Sequence, residues 1–129
     1  MTHASGKFKI ESWDEQPVHK DGAKLTRASV EQAFSGDIEG DGSVEWLMCY
    51  REDKTAEFVG LQRFVGRLGG RSGSFVMQTQ GSFDGTEAKG SLAVVARSGT
   101  EELAGITGTG AFAAPLGSTA SVDLDYDFE

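Results

Sequence analysis

The chain is poor in the residues that form disulfides, metal sites and rigid loops. Its 129 residues include one cysteine, two histidines, two prolines and no asparagine. A single cysteine, Cys49, excludes an internal disulfide and is typical of a reducing compartment. His3 and His19 lie far from Cys49 in the sequence, so no spacing typical of a metal site is present. We therefore expect no metal and no cofactor.

Long apolar runs and an excess of positive charge are also missing. The longest apolar stretch, "LAVVA", is about five residues, far short of the roughly 20 that a membrane-spanning helix needs. The N-terminal residues contain no apolar core of signal-peptide length, so we expect a cytoplasmic protein. The net charge is −8, which opposes binding to nucleic acid and to anionic membranes. We expect neither as a partner.

Glycine is abundant, with 18 residues, and the segments between glycine-bearing turns alternate apolar and polar residues. About eight such segments follow one another, which is typical of an all-β sandwich or barrel. Turns are predicted at Asp21-Gly22, at Glu52–Lys54 and at the hairpin signal Asp84-Gly85. One short helical turn is predicted in "SGTEELAG", capped by Ser98 and ended by Gly105. We expect a single domain over residues 1–129.

Charge suggests that the sheet closes on itself. The last strand carries Asp123, Asp125 and Asp127 on one face, and the first carries Lys7 and Lys9 on one face. Side by side, these strands would match opposite charges and remove both open edges. The alternative is two separate edge strands whose charges face water.

The stretch "EFVGLQRFVG" at 57–66 places a polar residue in both of its alternating rows. Phe58 and Phe64 share one face with Gln62, whereas Leu61 and its apolar neighbours share the other with Arg63. A buried arginine requires a paired carboxylate. We interpret Arg63 as a candidate polar anchor in an apolar pocket, with a structural ion pair or an arginine at the rim as the alternatives.

Four strings carry a family resemblance: "SFVMQTQGSFDG", "FVGLQRFVGRLGGRSG", "SWDEQP" and "FSGDIEGDGS". They resemble a bacterial family of small proteins, domain-of-unknown-function family 3224, over nearly the whole chain. That family is similar to the plant allene oxide cyclases. The resemblance implies a small antiparallel closed barrel of about eight strands around a ligand cavity.

The same resemblance assigns inward faces. It turns Glu45, Leu47 and Cys49 inward on the third strand. On the fourth strand it turns inward Glu57, Val59, Leu61 and Arg63. On the fifth it turns inward Phe75, Met77 and Thr79, and on the second it turns inward Arg27, Ser29 and Glu31. On the second strand the apolar pattern disagrees, because it would bury Val30 and Phe34. The plant pocket uses an asparagine, which this chain lacks, so the plant activity does not carry over.

The leading hypothesis is a barrel that binds a small apolar or acidic ligand. The expected ligand-binding residues are Glu31, Glu45, Cys49, Leu61, Arg63 and Met77. Cyclisation or isomerisation of an apolar oxygenated substrate is a further hypothesis, and whether the protein is an enzyme stays open. The alternative is a non-catalytic interaction protein that uses its outer apolar face. We expect a homo-oligomer, with Trp46 and Phe58 in its interface.

Overall fold

The computed structural model describes residues 1–19, 22, 24–117 and 119–129. Eight antiparallel strands form a closed barrel in which each strand pairs with the next along the chain, and the last pairs with the first. The strands are β1 Thr2–His19, β2 Lys24–Gly36, β3 Ile38–Tyr50, β4 Ala56–Leu68, β5 Arg71–Phe83, β6 Glu87–Val94, β7 Ile106–Pro115 and β8 Ala120–Phe128. The predicted all-β class and barrel closure are confirmed.

Strand alternation separates a buried inner row from an exposed outer row, as expected for a sheet with one face on the core. Phe64 and Phe75 are fully buried at the centre. The aromatic rings of Phe8, Phe34, Phe64 and Phe75 form a chain of contacts with centroids 5.4 to 5.8 Å apart in successive pairs. The interior is therefore filled mainly by large rings from several strands.

One end of the barrel is plugged. A short 3-10 helix, Glu101–Leu103, lies across it and buries Leu103 among core side chains. A Cβ at Gly73 would lie 2.3 Å from the carbonyl oxygen of Thr100, so only glycine allows this segment to approach β5 so closely. The predicted helical turn is present. Its N-cap is Thr100, and Ser98 accepts a hydrogen bond from the Val76 N–H instead.

The predicted turns are present where the structure describes them. The Asp84 carboxylate accepts hydrogen bonds from the backbone N–H groups of Thr86 and Glu87, both at 2.9 Å, and Gly85 has a φ of +101°. Lys54 has a φ of +74° in the turn between β3 and β4. In the predicted Asp21-Gly22 turn, Asp21 lies outside the described residues.

The opposite end of the barrel opens through a split between β1 and β8. These strands pair only from Thr2–Tyr126 to Phe8–Ala120. Beyond Phe8, β1 continues to His19 as an edge strand beside β2, which itself stays paired with β3, and in the described residues β1 has no further partner on the β8 side. The barrel wall is thus complete at the plugged end and divided at the other.

A β-bulge lies where β1 leaves the barrel. Ile10 pairs with Gln32 and Ser12 pairs with Glu31, so Glu11 is the extra residue. A bulge of this kind reverses which residues of the strand face inward. Trp13 consequently lies opposite the buried Val30, and Glu15 lies opposite the buried Ala28. The bulge turns these two side chains over the open end of the barrel.

Backbone pairing closes the seam between β1 and β8, and side-chain charges also meet across it, but not through the lysines that the sequence suggested. Lys7 pairs with Ser121, whereas His3 pairs with Asp125 and Ser5 pairs with Asp123. The His3 ring lies 2.7 Å from the Asp125 carboxylate and 3.2 Å from that of Asp123. The predicted lysine–aspartate contact is therefore wrong in detail, although the strands do meet.

The seam should respond to pH. A hydrogen bond to Asp125 is the main cause that raises the pKa of His3 above its ordinary value of 6.5, and Asp123 adds to it. A raised folded-state pKa gives stabilisation that is fully present below pH 6.5 and is lost as the pH rises through the folded-state pKa. We predict that the melting-temperature gap between wild type and His3→Gln is largest on the acid side and shrinks towards alkaline pH.

Thermal denaturation followed by circular dichroism at a series of pH values would measure this gap. His19→Gln is the matched control, since His19 forms no ion pair in the described part of the chain. A gap that stays constant across the histidine titration range would contradict the role of His3.

Candidate functional site

The split end of the barrel holds a cavity of about 680 Å³ with mainly apolar walls. It extends from the β1 edge, at Lys9, Ile10 and Trp13, to the turn between β7 and β8. Its wall residues are Phe8, Lys9, Ile10, Trp13, Trp46, Met48, Tyr50, Phe58, Phe83, Ala88, Phe112, Ala114, Pro115, Leu116, Gly117, Thr119 and Ala120. We call this space the aromatic cavity.

Four rings pack together along one side of the aromatic cavity. Trp46 contacts Phe58, Trp13 and Phe112, with ring centroids 5.2, 5.9 and 6.4 Å away respectively. The indole N–H of Trp46 donates a 2.7 Å hydrogen bond to the Thr79 hydroxyl, which fixes the orientation of the ring. These rings present a rigid apolar surface that matches the flat faces of an apolar ligand.

Glu15 organises the upper rim. Its carboxylate accepts hydrogen bonds from the Trp13 indole at 2.9 Å, the Thr26 hydroxyl at 2.6 Å and the Tyr50 hydroxyl at 2.8 Å. The three donors lie on β1, β2 and β3, so one carboxylate links three neighbouring strands at the open end. Two of them, Trp13 and Tyr50, line the aromatic cavity, and Glu15 therefore positions part of its wall.

The same contacts set the ionisation of the rim. Burial raises the pKa of Glu15, but the hydrogen bonds from Thr26, Trp13 and Tyr50 outweigh it and hold this pKa below its usual range. Burial and the hydrogen bond to Glu15 raise the pKa of Tyr50 to about 12. At neutral pH the rim thus contains an ionised carboxylate and a protonated phenol.

A second depression, of about 790 Å³, lies beside the end of β1, the start of β2 and the end of β3, and shares Tyr50 with the aromatic cavity. Its wall carries the cations Lys24, Arg51 and Lys54, and the carboxylates Glu15 and Glu52. The Lys24 ammonium also lies over the Tyr50 ring, 5.7 Å from its centroid. The depression next to the aromatic cavity is therefore charged, with three cations and two carboxylates in its wall.

Below the aromatic cavity, two glutamines meet in the core. The Gln62 amide donates a hydrogen bond to the Gln32 carbonyl oxygen, and both residues are buried. They line a void of only about 10 Å³, about the smallest space that holds one water molecule. The pair is the polar floor beneath the ring layer of Phe8, Trp46 and Phe112, which line both spaces.

The structure does not bring the expected site residues together in a pocket. Glu31, Glu45, Leu61 and Arg63 are exposed on the outer face, and Cys49, which alternates with the buried Met48 and the half-buried Tyr50, is half-buried on that outer row. Met77 does face inward and is buried. The expected inward orientation is therefore wrong for every residue of the set except Met77.

The Arg63–Glu45 pair is wrong for the same reason. Glu45 instead forms an ion pair with Arg27 at 3.0 Å, and more than half of each side chain is exposed. The inward row of β4 is Phe58, Gln62 and Phe64, so the buried polar residue of "EFVGLQRFVG" is Gln62. On β2, the apolar pattern was correct, because Val30 and Phe34 are buried.

Other site residues were missed altogether. Trp13 and Glu15 lie two residues apart, so they share a face, and the bulge at Glu11 turns that face inward. The string "SWDEQP" shows the spacing but not the bulge. The sequence does indicate Gln32 as a buried polar residue, because it lies between Val30 and Phe34 in an otherwise apolar row. Within the described residues, no group of three or more His, Cys, Asp or Glu side chains is arranged to hold a metal.

Comparison with known proteins gives the family. The model of the family described as "Protein of unknown function (DUF3224)" matches residues 4–126, and the chain belongs to this family. A crystal structure of a protein with unknown function from the same family, from Shewanella oneidensis MR-1, is 31% identical. The alignment covers 100% of this chain and 98% of that one, with a TM-score of 0.81. No curated protein matches.

The glutamine pair should show strong coupling. Gln62→Met removes one partner and leaves the Gln32 amide buried without it, which costs about 1–3 kcal/mol of unfolding free energy. Replacing both residues by methionine removes the unsatisfied group, so we predict that the double variant loses less than the sum of the two single losses.

Urea denaturation of the four proteins measures this coupling. The control is Gln78→Met, on the exposed face of β5, which should change the unfolding free energy by no more than about 0.5 kcal/mol. Additive losses at positions 32 and 62 would show that the two amides act independently.

Glu15 should stabilise the rim only when it is ionised. Because its folded-state pKa is lowered, its contribution is present above the unfolded-state pKa of about 4.3 and is lost as the pH falls through the folded-state value. We predict that Glu15→Gln lowers the melting temperature at neutral pH, and that the gap to wild type closes in acid. The Trp13 ring, released from its hydrogen bond, should shift the tryptophan emission to longer wavelength.

The control for this experiment is Glu11→Gln, which removes an exposed carboxylate from the same strand. Equal melting-temperature changes in the two variants would rule out a special role for Glu15. An emission spectrum unchanged by Glu15→Gln would show that Trp13 does not depend on it.

Proposed function

We propose that this member of the DUF3224 family binds a small apolar ligand in the aromatic cavity, with an acidic group of the ligand directed to the rim. The observation that carries the proposal is the aromatic cavity itself, about 680 Å³ in volume. Small-molecule sites usually measure roughly 300–1,000 Å³ and combine apolar walls with a few polar groups.

The preference for an acidic group rests on the rim. Lys9 borders the aromatic cavity, and Lys24, Arg51 and Lys54 border the depression next to it. Glu15 is already bound by three hydrogen-bond donors, which satisfies much of its charge locally. Lys24 and Lys54 form no ion pair within the described residues. In a chain with a net charge of −8, Lys9 at the cavity and these two lysines beside it, against Glu15 and Glu52, make this end less negative than the rest of the chain, which favours an anion there.

Binding is better supported than catalysis. General acid–base chemistry works best with a group whose pKa lies near the working pH. The pKa of Glu15 is held below its usual range, and that of Tyr50 is raised to about 12. These two rim groups are thus suited to orient a ligand. A cyclase or isomerase role would require the ligand to shift one of these values towards neutrality.

The more distant relation to the allene oxide cyclases is also part of the proposal. It is supported by a small antiparallel barrel with a cavity at one end, and it extends to the fold and not to the plant pocket, since the chain has no asparagine. A cytoplasmic location is consistent with the single cysteine. No helix in the described residues is long and apolar enough to cross a membrane.

Two fluorescent naphthalene probes test the site: neutral N-phenyl-1-naphthylamine and anionic 1-anilinonaphthalene-8-sulfonate. We predict saturable binding of both to the wild type. Ala114→Phe, which fills the aromatic cavity, should abolish it. Ala113→Phe is the matched control, because the adjacent side chain lies on the other face of β7 and does not line the cavity.

The rim has its own control. Lys9→Gln should weaken only the anionic probe, whereas Lys7→Gln, on the same strand and outside the cavity, should weaken neither. No saturable binding of either probe, or binding that persists in Ala114→Phe, would overturn the proposed site. If Lys9→Gln binds each probe as tightly as the wild type does, the acidic group is removed from the proposal. Native mass spectrometry of freshly purified protein would then identify any ligand carried through purification.

A further inference from the structure

The outer face of β3 and β4 carries an exposed apolar patch that the ligand site does not use. Leu47, Val59, Leu61 and Val65 are between 42% and 57% exposed. Leu47 pairs with Val59, and Leu61 pairs with Glu45, so the side chains lie on adjacent positions of one wall. Monomeric proteins rarely expose contiguous apolar patches of large size without an interaction partner. We call these four residues the outer patch.

Charges of both signs border the outer patch. Arg51 and Glu57 form an ion pair at 2.7 Å towards the open end of the barrel. Towards the plugged end lie Asp41 and Arg63, which are exposed and form no ion pair in the described part of the structure. With the Arg27–Glu45 pair, the border has three arginines and three carboxylates. It is therefore neutral in a chain of net charge −8.

The order of these charges along the strands fits a two-fold axis. Trp46 pairs with Gly60 at the middle of the wall. A second copy stacked face to face can be related to the first by a two-fold axis. This axis lies in the plane of the interface and runs perpendicular to the strands at the level of Trp46 and Gly60. On β4 the axis places Val59 opposite Leu61 of the second copy, and Glu57 opposite Arg63.

The same axis also pairs opposite charges on β3. Asp41 and Arg51 lie at equal distances from Trp46 in opposite directions along the chain. The axis therefore places Asp41 of one copy opposite Arg51 of the other. One operation therefore joins apolar side chains at the centre of β4 and an oppositely charged pair on each strand. On β3 the central Leu47 lies opposite Glu45 of the second copy, whose carboxylate is already paired with Arg27. An isologous interface requires this kind of self-complementarity, and an arbitrary arrangement of charges would not provide it on two strands together.

We propose that the occupant of the outer patch is a second copy of this chain, in a two-fold dimer that stacks β3 and β4 against β3 and β4. This interface differs from the expected one, because Trp46 and Phe58 are buried inside the barrel. Leu47 and Leu61, which the resemblance turned inward, form its centre. The aromatic cavity opens at the barrel end between β1 and β8, and none of the four outer-patch residues lines it.

Sedimentation velocity of the wild type should give twice the mass of one chain at micromolar concentration. Leu61→Gln should raise the dimer dissociation constant, and Val18→Gln is the control, since it removes an exposed apolar side chain from β1, which β2 separates from the wall of β3 and β4. A wild type that sediments as a monomer would overturn the proposal. So would a dimer that Leu61→Gln does not weaken.

A charge reversal tests the orientation of the two copies. Arg63→Glu alone places Glu57 against a glutamate, and Glu57→Arg alone places two arginines together. Each change should raise the dissociation constant by at least about tenfold, because the axis repeats each like-charge contact. When the two variants are mixed, both contacts join opposite charges, so a heterodimer should form.

The mixing experiment distinguishes the proposed axis from any other packing of the patch. Two variants that dimerise as well alone as the wild type would overturn the proposed register, and so would a mixture that stays monomeric. Circular dichroism of each variant checks its fold, and both altered side chains point to water. The probe-binding experiments are independent of this result, since the aromatic cavity contains neither residue.

Discussion

The narrow interior of an eight-stranded barrel is the constraint on which the rest of this structure depends. Such a barrel is just wide enough to be filled by the side chains of its inner rows. Here that volume is taken up by rings, with Phe64 and Phe75 fully buried at its centre. The bulky row of each strand must therefore turn inward. Since alternate residues face opposite sides, the aliphatic row that includes Leu47 and Leu61 is left on the outside.

This constraint explains which sequence predictions succeeded. The class and the number of strands follow from period-two patterning and turn signals, which depend on local sequence. Closure was expected from the charged rows of the first and last strands and from the family resemblance, and these strands do pair, although with other charge partners. The inward face of β2 was also readable, because Val30 and Phe34 share one row. On β4 both rows are apolar, and a one-residue change of face exchanges Arg63 for Gln62. Residue type alone could not decide between them, because the choice depends on the volume that the other strands leave inside.

The site was less predictable than the fold because it depends on an irregularity. The bulge at Glu11 inserts one residue into β1 and changes the face of the residues from Ser12 to Pro17, after which a second register shift follows. Trp13 and Glu15 lie over the open end only as a result. No local pattern marks Glu11 as the extra residue, since Glu11 and Ser12 are both polar and suit an exposed strand. The paired glutamines were visible as polar residues in apolar rows, but their contact joins β2 to β4 across the interior.

The wall formed by β3 and β4 therefore carries two different surfaces on alternate residues. Trp46 and Phe58 face the aromatic cavity, whereas Leu47 and Leu61 face water on the other side. On β4 both rows carry several apolar residues, which is why its pattern is difficult to interpret from sequence. The two surfaces are nevertheless coupled through the backbone, because any shift in strand register moves both. Stacking a second copy on the outer patch would hold that register and so would keep the rings of the cavity in place.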